Sequence, residues 1–290
     1  MQRSGGTIGD CVKLAEKPAL TRIMPTKGWA SLRLGDIWQY RELLYFLTWR
    51  DIKVRYKQTI IGGAWAILQP FITMVIFSVF FGRLLGVPSE GIPYPLFVYS
   101  AMIVWTFFAN GVGMASTSLV AEANMIKKVY FPRMVLPLSS ILSGMLDFLL
   151  AFIVLVGMMI YYGRGPTLAV LFLPLFLLLA LVSTVGVALW LSALNVMYRD
   201  VKYAVPFLMQ AWLFATPIAY PSGIISSSVW KMIYGINPMA GVVEGFRWVL
   251  LGMEARIGPM IAVSSGMAVL ILVGGAYFFR RTERIFADVV

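Results

Sequence analysis

The side chains best suited to binding a ligand form a basic cluster just before the first long apolar run. The cluster consists of Arg50, Lys53, Arg55 and Lys57. Guanidinium groups match the geometry of phosphate oxygens, and both residue types are attracted to anionic membrane surfaces. Two interpretations remain open and are compatible with each other: the cluster anchors the chain on anionic lipid, or it captures the phosphates of a lipid headgroup.

A second polar segment, residues 122–133, combines charge with aromatic residues between two apolar runs. Its candidate contact residues are Asn124, Lys127, Lys128, Tyr130, Phe131 and Arg133. Exposed aromatic side chains in a short polar loop are typical of a protein contact surface. We therefore expect this loop to bind a partner; the alternative is a solvated turn whose charges only set topology.

Ionisable residues inside apolar segments are the third chemical feature. Asp147 lies near the middle of an apolar run that is otherwise uncharged, and a charge there is costly unless it is paired or protonated. No basic residue is expected at that depth, so we predict a hydrogen bond to a Ser, Thr or Asn of a neighbouring helix; proton coupling is the alternative. Glu244 and Arg247, three residues apart, form either a minor exposed pair or, in a half-buried segment, a pair that sets the position of that segment.

Several kinds of chemistry are missing. The chain has no histidine and one cysteine, Cys11, which excludes the common zinc sites, Ser-His-Asp catalysis and an internal disulfide. It has no Gly-x-x-x-x-Gly-Lys-Ser/Thr segment, so no nucleotide-binding P-loop, and no carboxylate cluster for metal-assisted catalysis. We therefore expect a conduit or scaffold rather than an enzyme, with no cofactor or metal bound by this chain.

The elements that must position these residues are membrane helices. The chain is 60% apolar and only 13% charged, against about 25% charged in soluble domains. Its long uncharged runs predict an all-α membrane protein with six spans, since about 20 apolar residues cross the hydrocarbon core. The predicted spans are about 62–82, 97–120, 136–161, 168–194, 203–222 and 257–279.

The segments outside the spans have distinct compositions. Residues 1–35 form a polar basic tail, 36–57 an amphipathic helix that lies on the membrane surface, and 281–290 a second tail. Residues 223–252 predict a re-entrant helical hairpin. Its second helix, 238–251, would be only about 21 Å long, too short to cross the bilayer.

The basic residues set the orientation. With both termini in the cytoplasm, 19 Lys and Arg residues lie in cytoplasmic segments and five in outer ones. The net charge of +11 is explained by topology and lipid headgroups, so we expect no nucleic-acid partner.

Four blocks of sequence resemble a known family. They are WRDIKVRYKQTIIGGAWAILQP at 49–70, NMIKKVYFPRMVLPLSSIL at 124–142, LNVMYRDVKYAVPFLMQAWLFATPIAYP at 194–221 and NPMAGVVEGFRWVLLG at 237–252. In this order they resemble the membrane subunit of bacterial ABC exporters for O-antigen, capsular and teichoic-acid-like polymers. The resemblance covers about 36–280.

The resemblance implies a mechanism and partners. Such permeases lie in the bacterial inner membrane as homodimers with two copies of a separate ATPase, which binds the ATP and Mg. They move a lipid-linked polysaccharide through a channel between the two permeases. The loop 122–133 would be the coupling helix, the cluster 50–57 would meet the polyprenyl diphosphate, and the hairpin would form the outer gate. The gate residues would be Asn237, Pro238, Glu244 and Arg247.

Aromatic residues in the first and fifth spans are candidates for the channel wall. They are Trp65, Phe71, Phe77, Phe80, Phe81, Trp212, Phe214 and Tyr220. Flat rings stack on sugars without fixing their identity, which suits a sliding polymer, but lipid contact and core packing are ordinary roles for such residues.

Other functions stay open at this point. The same architecture could export a smaller lipid or drug. A membrane transferase acting on polyprenyl-linked sugars would need catalytic carboxylates, of which the sequence offers few. A proton-coupled carrier would centre on Asp147.

Overall fold

The computed structural model describes residues 34–57, 63–165, 167–224, 227–253 and 258–286. Within these ranges the regular structure is entirely helical, which confirms the predicted all-α class. Most of the predicted N-terminal tail, residues 1–33, lies outside the described residues, as do residues 287–290 of the C-terminal tail.

Eleven α-helices are described, joined by short turns. They are α1 (Leu34–Gln39), α2 (Arg41–Lys57), α3 (Ala64–Phe77), α4 (Tyr94–Ala121), α5 (Ala123–Lys128), α6 (Val135–Tyr161), α7 (Leu173–Met197), α8 (Val201–Ala215), α9 (Ser228–Gly235), α10 (Pro238–Leu251) and α11 (Pro259–Thr282). A π-helical segment, Ser78–Leu84, continues α3, and 3₁₀ turns lie at Leu168–Phe172 and Ser222–Ile224.

Five of the described helical stretches are long and apolar enough to cross a membrane. They are Ala64–Leu84, Tyr94–Ala121, Val135–Tyr161, Leu168–Met197 and Pro259–Thr282. At 1.5 Å per residue, the shortest of them, with 21 residues, is about as long as the hydrocarbon core is thick. These five coincide with the first four predicted spans and the last one.

The predicted fifth span, 203–222, is not one continuous helix. Helix α8 ends at Ala215 after 15 residues, about 22 Å, and the buried stretch Thr216–Ala219 follows without helical structure. The apolar run was long enough for a span, but part of it is irregular backbone. A crossing made by α8 together with this stretch stays a prediction.

Helix α4 forms the centre of the bundle. Of its most apolar 18-residue window, 78% is buried, against 17% for the stretch Ala64–Leu84. It packs against α3, α6, α7, α8 and α10. The outer helices therefore expose apolar side chains around a buried central one, as expected of a bundle in lipid.

Helices α7 and α11 approach closely because small residues line their contact. A Cβ on Gly186 would meet the backbone nitrogen of Leu272 at 2.8 Å, and one on Gly275 would meet the carbonyl oxygen of Gly186 at 2.6 Å. Small residues allow such backbone contact between membrane helices. The close contact joins α7 and α11 along one side of the bundle.

Candidate functional site

A cleft of about 660 Å³ lies among α3, α4, α6 and α8, at the end of α2. Its lining includes two tryptophans, Trp65 and Trp105. Three carboxamide side chains from three helices, Gln69 of α3, Asn110 of α4 and Gln210 of α8, also line it. The cleft therefore combines flat apolar rings with uncharged groups that both donate and accept hydrogen bonds.

An ion pair closes one end of the cleft. Arg55, in the last turn of α2, donates to the carboxylate of Asp147 in α6 and, over 2.9 Å, to the hydroxyl of Ser143. The hydroxyl of Tyr56 donates to the same carboxylate. The end of α2 is thus pinned to the middle of the third span.

This geometry corrects the expectation that Asp147 has no basic residue at its depth. The long side chain of Arg55 reaches it from outside the apolar runs, as Arg and Lys side chains commonly do near membrane surfaces. Within the described part of the chain, the predicted hydrogen bond to a Ser, Thr or Asn of a neighbouring helix is not present: Ser143 lies in α6 itself and accepts from Arg55, and the hydroxyl that donates to Asp147 belongs to Tyr56 of α2.

A second ion pair links α2 to the loop before α5. Arg50 contacts the carboxylates of Asp51 at 2.9 Å and Glu122 at 2.7 Å, and Glu122 directly precedes α5. Burial alone would lower the pKa of Arg50, but the hydrogen bonds and charges of Asp51 and Glu122 outweigh that effect and raise it. Two members of the basic cluster therefore bind the protein itself, whereas Lys53 and Lys57 are exposed.

The loop 122–133 presents only part of the predicted contact surface. Asn124, Lys127 and Lys128 are exposed on or at the end of α5, and the Tyr130 side chain is 76% exposed. Phe131, predicted to be exposed, is instead buried in a cluster with residues such as Ile126, Met134 and Phe286. Nothing in the sequence around Phe131, which precedes Pro132 in a short loop, indicated that its ring would be buried.

Arg133 fastens this loop to the end of the chain. Its backbone N–H donates to Glu283 Oε1 over 3.0 Å, and its guanidinium donates to the Glu283 carbonyl oxygen. The guanidinium also lies 5.9 Å from the centre of the Phe286 ring. Phe131 and Arg133 therefore hold the loop in place, while the other four residues form what we call the coupling face: Asn124, Lys127, Lys128 and Tyr130.

Asn237 joins the hairpin to α8. Its side-chain oxygen caps α10 by accepting from the Met239 N–H over 3.0 Å, and it also accepts from Trp212 Nε1 over 2.9 Å. Its side-chain nitrogen donates to the Thr216 hydroxyl over 2.9 Å. Pro238 follows at the first helical position, and Gly252, with φ of 65°, ends the helix, so α10 has the bounds predicted for it.

Arg247 is fully buried and links α10 to the backbone that follows α8; we call this link the clamp. Its guanidinium donates to the carbonyl oxygens of Pro217 and Ile218, each over 2.6 Å, and lies 3.6 Å from the centre of the Phe97 ring. Glu244 is 3.7 Å away. The pair is therefore not a minor exposed one, because Arg247 satisfies the irregular backbone that follows α8.

The eight predicted channel aromatics occupy different environments. Trp65 lines the cleft, Phe71 lines a separate groove between α3 and α6, and Phe80 and Phe214 are exposed on the outside of this chain. The others pack inward to varying degrees: Phe77, Phe81, Trp212 and Tyr220. Trp105 and the three carboxamides of the cleft were not among the predicted site residues; uncharged Asn and Gln inside charge-free runs were the sequence signal that could have indicated the carboxamides.

Among the described residues, no group of three or more His, Cys, Asp or Glu side chains could hold a metal ion. The lining of the cleft itself consists of aromatic rings, carboxamides, apolar side chains and the Arg55–Asp147 ion pair.

Comparison with known proteins places the chain in a family. The model of the ABC-2 type transporter family matches residues 42–251. The chain is similar to the O-antigen export system permease protein RfbA of Myxococcus xanthus, with 29% identity over 253 residues covering 86% of this chain and 95% of the relative.

Further relatives extend the likeness. An O-antigen export system permease protein RfbA of Klebsiella pneumoniae is 30% identical over 251 residues, covering 86% of this chain and 95% of the relative. The polysialic acid transport protein KpsM of Escherichia coli is 25% identical over 201 residues, covering 67% and 76%. With its membrane-spanning helices, the chain belongs to the ABC-2 type transporter family and is a multi-pass protein of the inner membrane.

Proposed function

We propose that this chain is the permease subunit of an ATP-driven exporter that moves a lipid-linked polysaccharide across the bacterial inner membrane. The observation that carries the proposal is similarity over 86% of the chain to permeases of O-antigen export from two bacteria. The cleft supports it, because tryptophan rings beside carboxamides suit a sugar better than they suit a purely apolar cargo.

The transport path is formed by two copies of the chain. Helices α3 and α8 border the cleft and expose large aromatic side chains, among them Trp65, Tyr203 and Phe207. A second copy facing this side of the chain would enclose the rings and turn each cleft into part of a shared channel. We therefore expect the aromatic residues that line the channel to be those exposed on α3 and α8 beside the cleft.

The energy comes from a separate ATPase that binds ATP and Mg. Its docking surface on this chain is the coupling face, Asn124, Lys127, Lys128 and Tyr130, all of them exposed. Movement of α5 would pass through the Glu122–Arg50 contact into α2, which leads to the cleft. The loop can transmit force because Arg133 and Phe131 fix it to the bundle.

The lipid headgroup enters beside α2. Lys53 and Lys57 are exposed, so these two can meet a polyprenyl diphosphate, while Arg50 beside them is bound to Asp51 and Glu122. Arg55 has a different role here, since it is bound to Asp147 and holds the end of the helix. At the other end of the path, α9 and α10 form the outer gate, with Asn237 and Arg247 joining it to the end of α8.

Export of a smaller lipid is the second candidate. It is favoured by an apolar groove of about 870 Å³ between α3 and α6, with Phe71, Val75 and Val154 in its lining and Arg83 near one end. An acyl chain would fit such a groove, but the three carboxamides of the cleft would then have no role.

The proposal is tested by deleting the gene for this chain from its own organism. We expect surface polysaccharide to disappear and lipid-linked polymer to accumulate in the cytoplasm, and the wild-type gene to restore export. A control gene with Tyr198→Ala, an exposed tyrosine outside the coupling face, should restore it equally well. Unchanged surface polymer together with an altered lipid composition would support the smaller cargo instead.

A further inference from the structure

Three carboxamides converge on the cleft although they come from separate helices. Gln69 lies in the first turns of α3, Asn110 in the second half of α4, and Gln210 in α8. No described residue forms a hydrogen bond with any of these side-chain amides, whereas other polar side chains in the spans, such as Ser116 and Thr184, bond to the backbone of their own helices. Their hydrogen-bonding groups are therefore available to a ligand.

The cleft contains rings beside these amides. Trp65 borders it with a 56% exposed side chain, and Trp105 of α4 lines it from the buried side, packed against Phe108 with the ring centres 5.4 Å apart. One ring is thus held rigidly while the other is free to meet a ligand. A flat ring beside several amides matches a pyranose, which has an apolar face and a rim of hydroxyl groups.

The side chains that line the cleft are less suited to a phosphate or an acyl chain than to a sugar. Among the described residues of the lining, Arg55 is the one cation, and it is bound to Asp147, so the site has poor complementarity to a phosphate. An acyl chain would bury the three amides without hydrogen bonds, which is unfavourable. Hydroxyl groups donate and accept, as carboxamides do, and satisfy both atoms of each amide.

We propose that Gln69, Asn110 and Gln210, with Trp65 and Trp105, form a carbohydrate-recognition site in each copy of the chain. The proposal deepens the exporter function on which it rests. Stacking on aromatic rings does not distinguish one sugar from another. The carboxamides would add hydrogen bonds to the hydroxyl groups of the sugar at one place along the path. Each carboxamide contributes a hydrogen bond, so its loss should weaken sugar binding about fivefold.

The test uses open membrane fragments that contain the full chain and its native partners. Cys11, the one cysteine of the sequence, is changed to Ser, and a reporter cysteine is placed in the cleft by Ala66→Cys, which leaves all three carboxamides in place. The rate of labelling by a methanethiosulfonate reagent is measured with three probes: oligosaccharides released by mild acid from the organism's own surface polymer, polyprenyl phosphate, and inorganic diphosphate. Thr117→Cys, exposed on α4 outside the cleft, is the matched control.

We expect the oligosaccharides to slow labelling at position 66 and not at 117. Adding Gln69→Leu and Asn110→Leu, which keep side-chain bulk but remove the amides, should raise the oligosaccharide concentration needed for protection about fivefold for each change. No protection by oligosaccharide, protection only by polyprenyl phosphate or diphosphate, or protection that survives both Leu changes would overturn the proposal.

Gene deletion distinguishes failure of the proposed recognition site from failure of the proposed exporter function. If deletion abolishes surface polymer but oligosaccharides do not protect the cleft, the exporter function stands and the recognition site is wrong. If deletion leaves the polymer in place, the exporter function itself is wrong, whatever the labelling shows.

Discussion

The guanidinium of Arg55 at the end of α2 is bound to the carboxylate of Asp147 in the middle of α6, 92 residues further along the chain. Both side chains are largely buried, with exposed fractions of 25% and 20%. The pair fixes where the surface helix meets the bundle, at the edge of the cleft. Because the ion pair accounts for a carboxylate at this depth, we expect Asp147 to have a structural role.

Replacing Asp147 with Asn should destabilise the protein, because Arg55 and Tyr56 would lose their charged acceptor. We expect a loss of about 1–3 kcal/mol, the usual worth of hydrogen bonds to charged groups. Thermal unfolding in detergent measures it, and a combined Arg55→Leu, Asp147→Leu variant should recover most of the loss. If Asp147→Asn were as stable as wild type but lost all transport, proton coupling would be the better explanation of Asp147.

Reversing the Arg50–Glu122 pair should disturb coupling more than folding. The Arg50 side chain is 41% exposed, so we expect either single change, Arg50→Glu or Glu122→Arg, to alter stability by less than about 1 kcal/mol. Each should lower the amount of polymer exported per ATP hydrolysed, and the double variant should restore it. Double variants that export no better than the singles would remove this contact from the coupling path.

Tyr130 and Phe131 should behave differently although they are neighbours. Tyr130→Ala should weaken co-purification of the ATPase and leave the unfolding temperature unchanged, because the ring is exposed. Phe131→Ala should cost about 3–5 kcal/mol of stability, as for other buried Phe residues. Equal loss of stability in both variants would show that Tyr130 is also structural.

Arg247 should tolerate no replacement. Arg247→Leu would leave the carbonyl groups of Pro217 and Ile218 without a donor, at about 1–3 kcal/mol for each, and Arg247→Lys would lose the planar contact with Phe97. Glu244→Gln is the control, since Glu244 is 3.7 Å away and partly exposed. The yield of folded protein and its unfolding temperature measure these effects, and a stable Arg247→Leu protein would refute the clamp.

The helices were predictable where their signals are local. Charge-free runs marked five spans, and Asn237-Pro238 with Gly252 set both ends of α10, because capping depends on neighbouring residues. Four sequence blocks pointed to the family that the comparisons confirm.

What the sequence did not show depends on contacts between distant segments. Helix α8 ends at Ala215 although the apolar run continues, and the backbone beyond it is satisfied by Arg247, some 30 residues later. The partner of Asp147 lies outside the membrane runs, and the cleft exists only once α3, α4 and α8 are packed together. Hydrophobicity along the chain carries no information about such pairings.

Transport itself gives the most direct test of the central claim. Inside-out membrane vesicles containing this chain and its ATPase partner are supplied with lipid-linked polymer, and the polymer that becomes protected from an added glycosidase is measured. The exporter function predicts protection that requires ATP and is lost with the Tyr130→Ala chain. Protection without ATP, or none when chain, partner, polymer and ATP are all present, would contradict it.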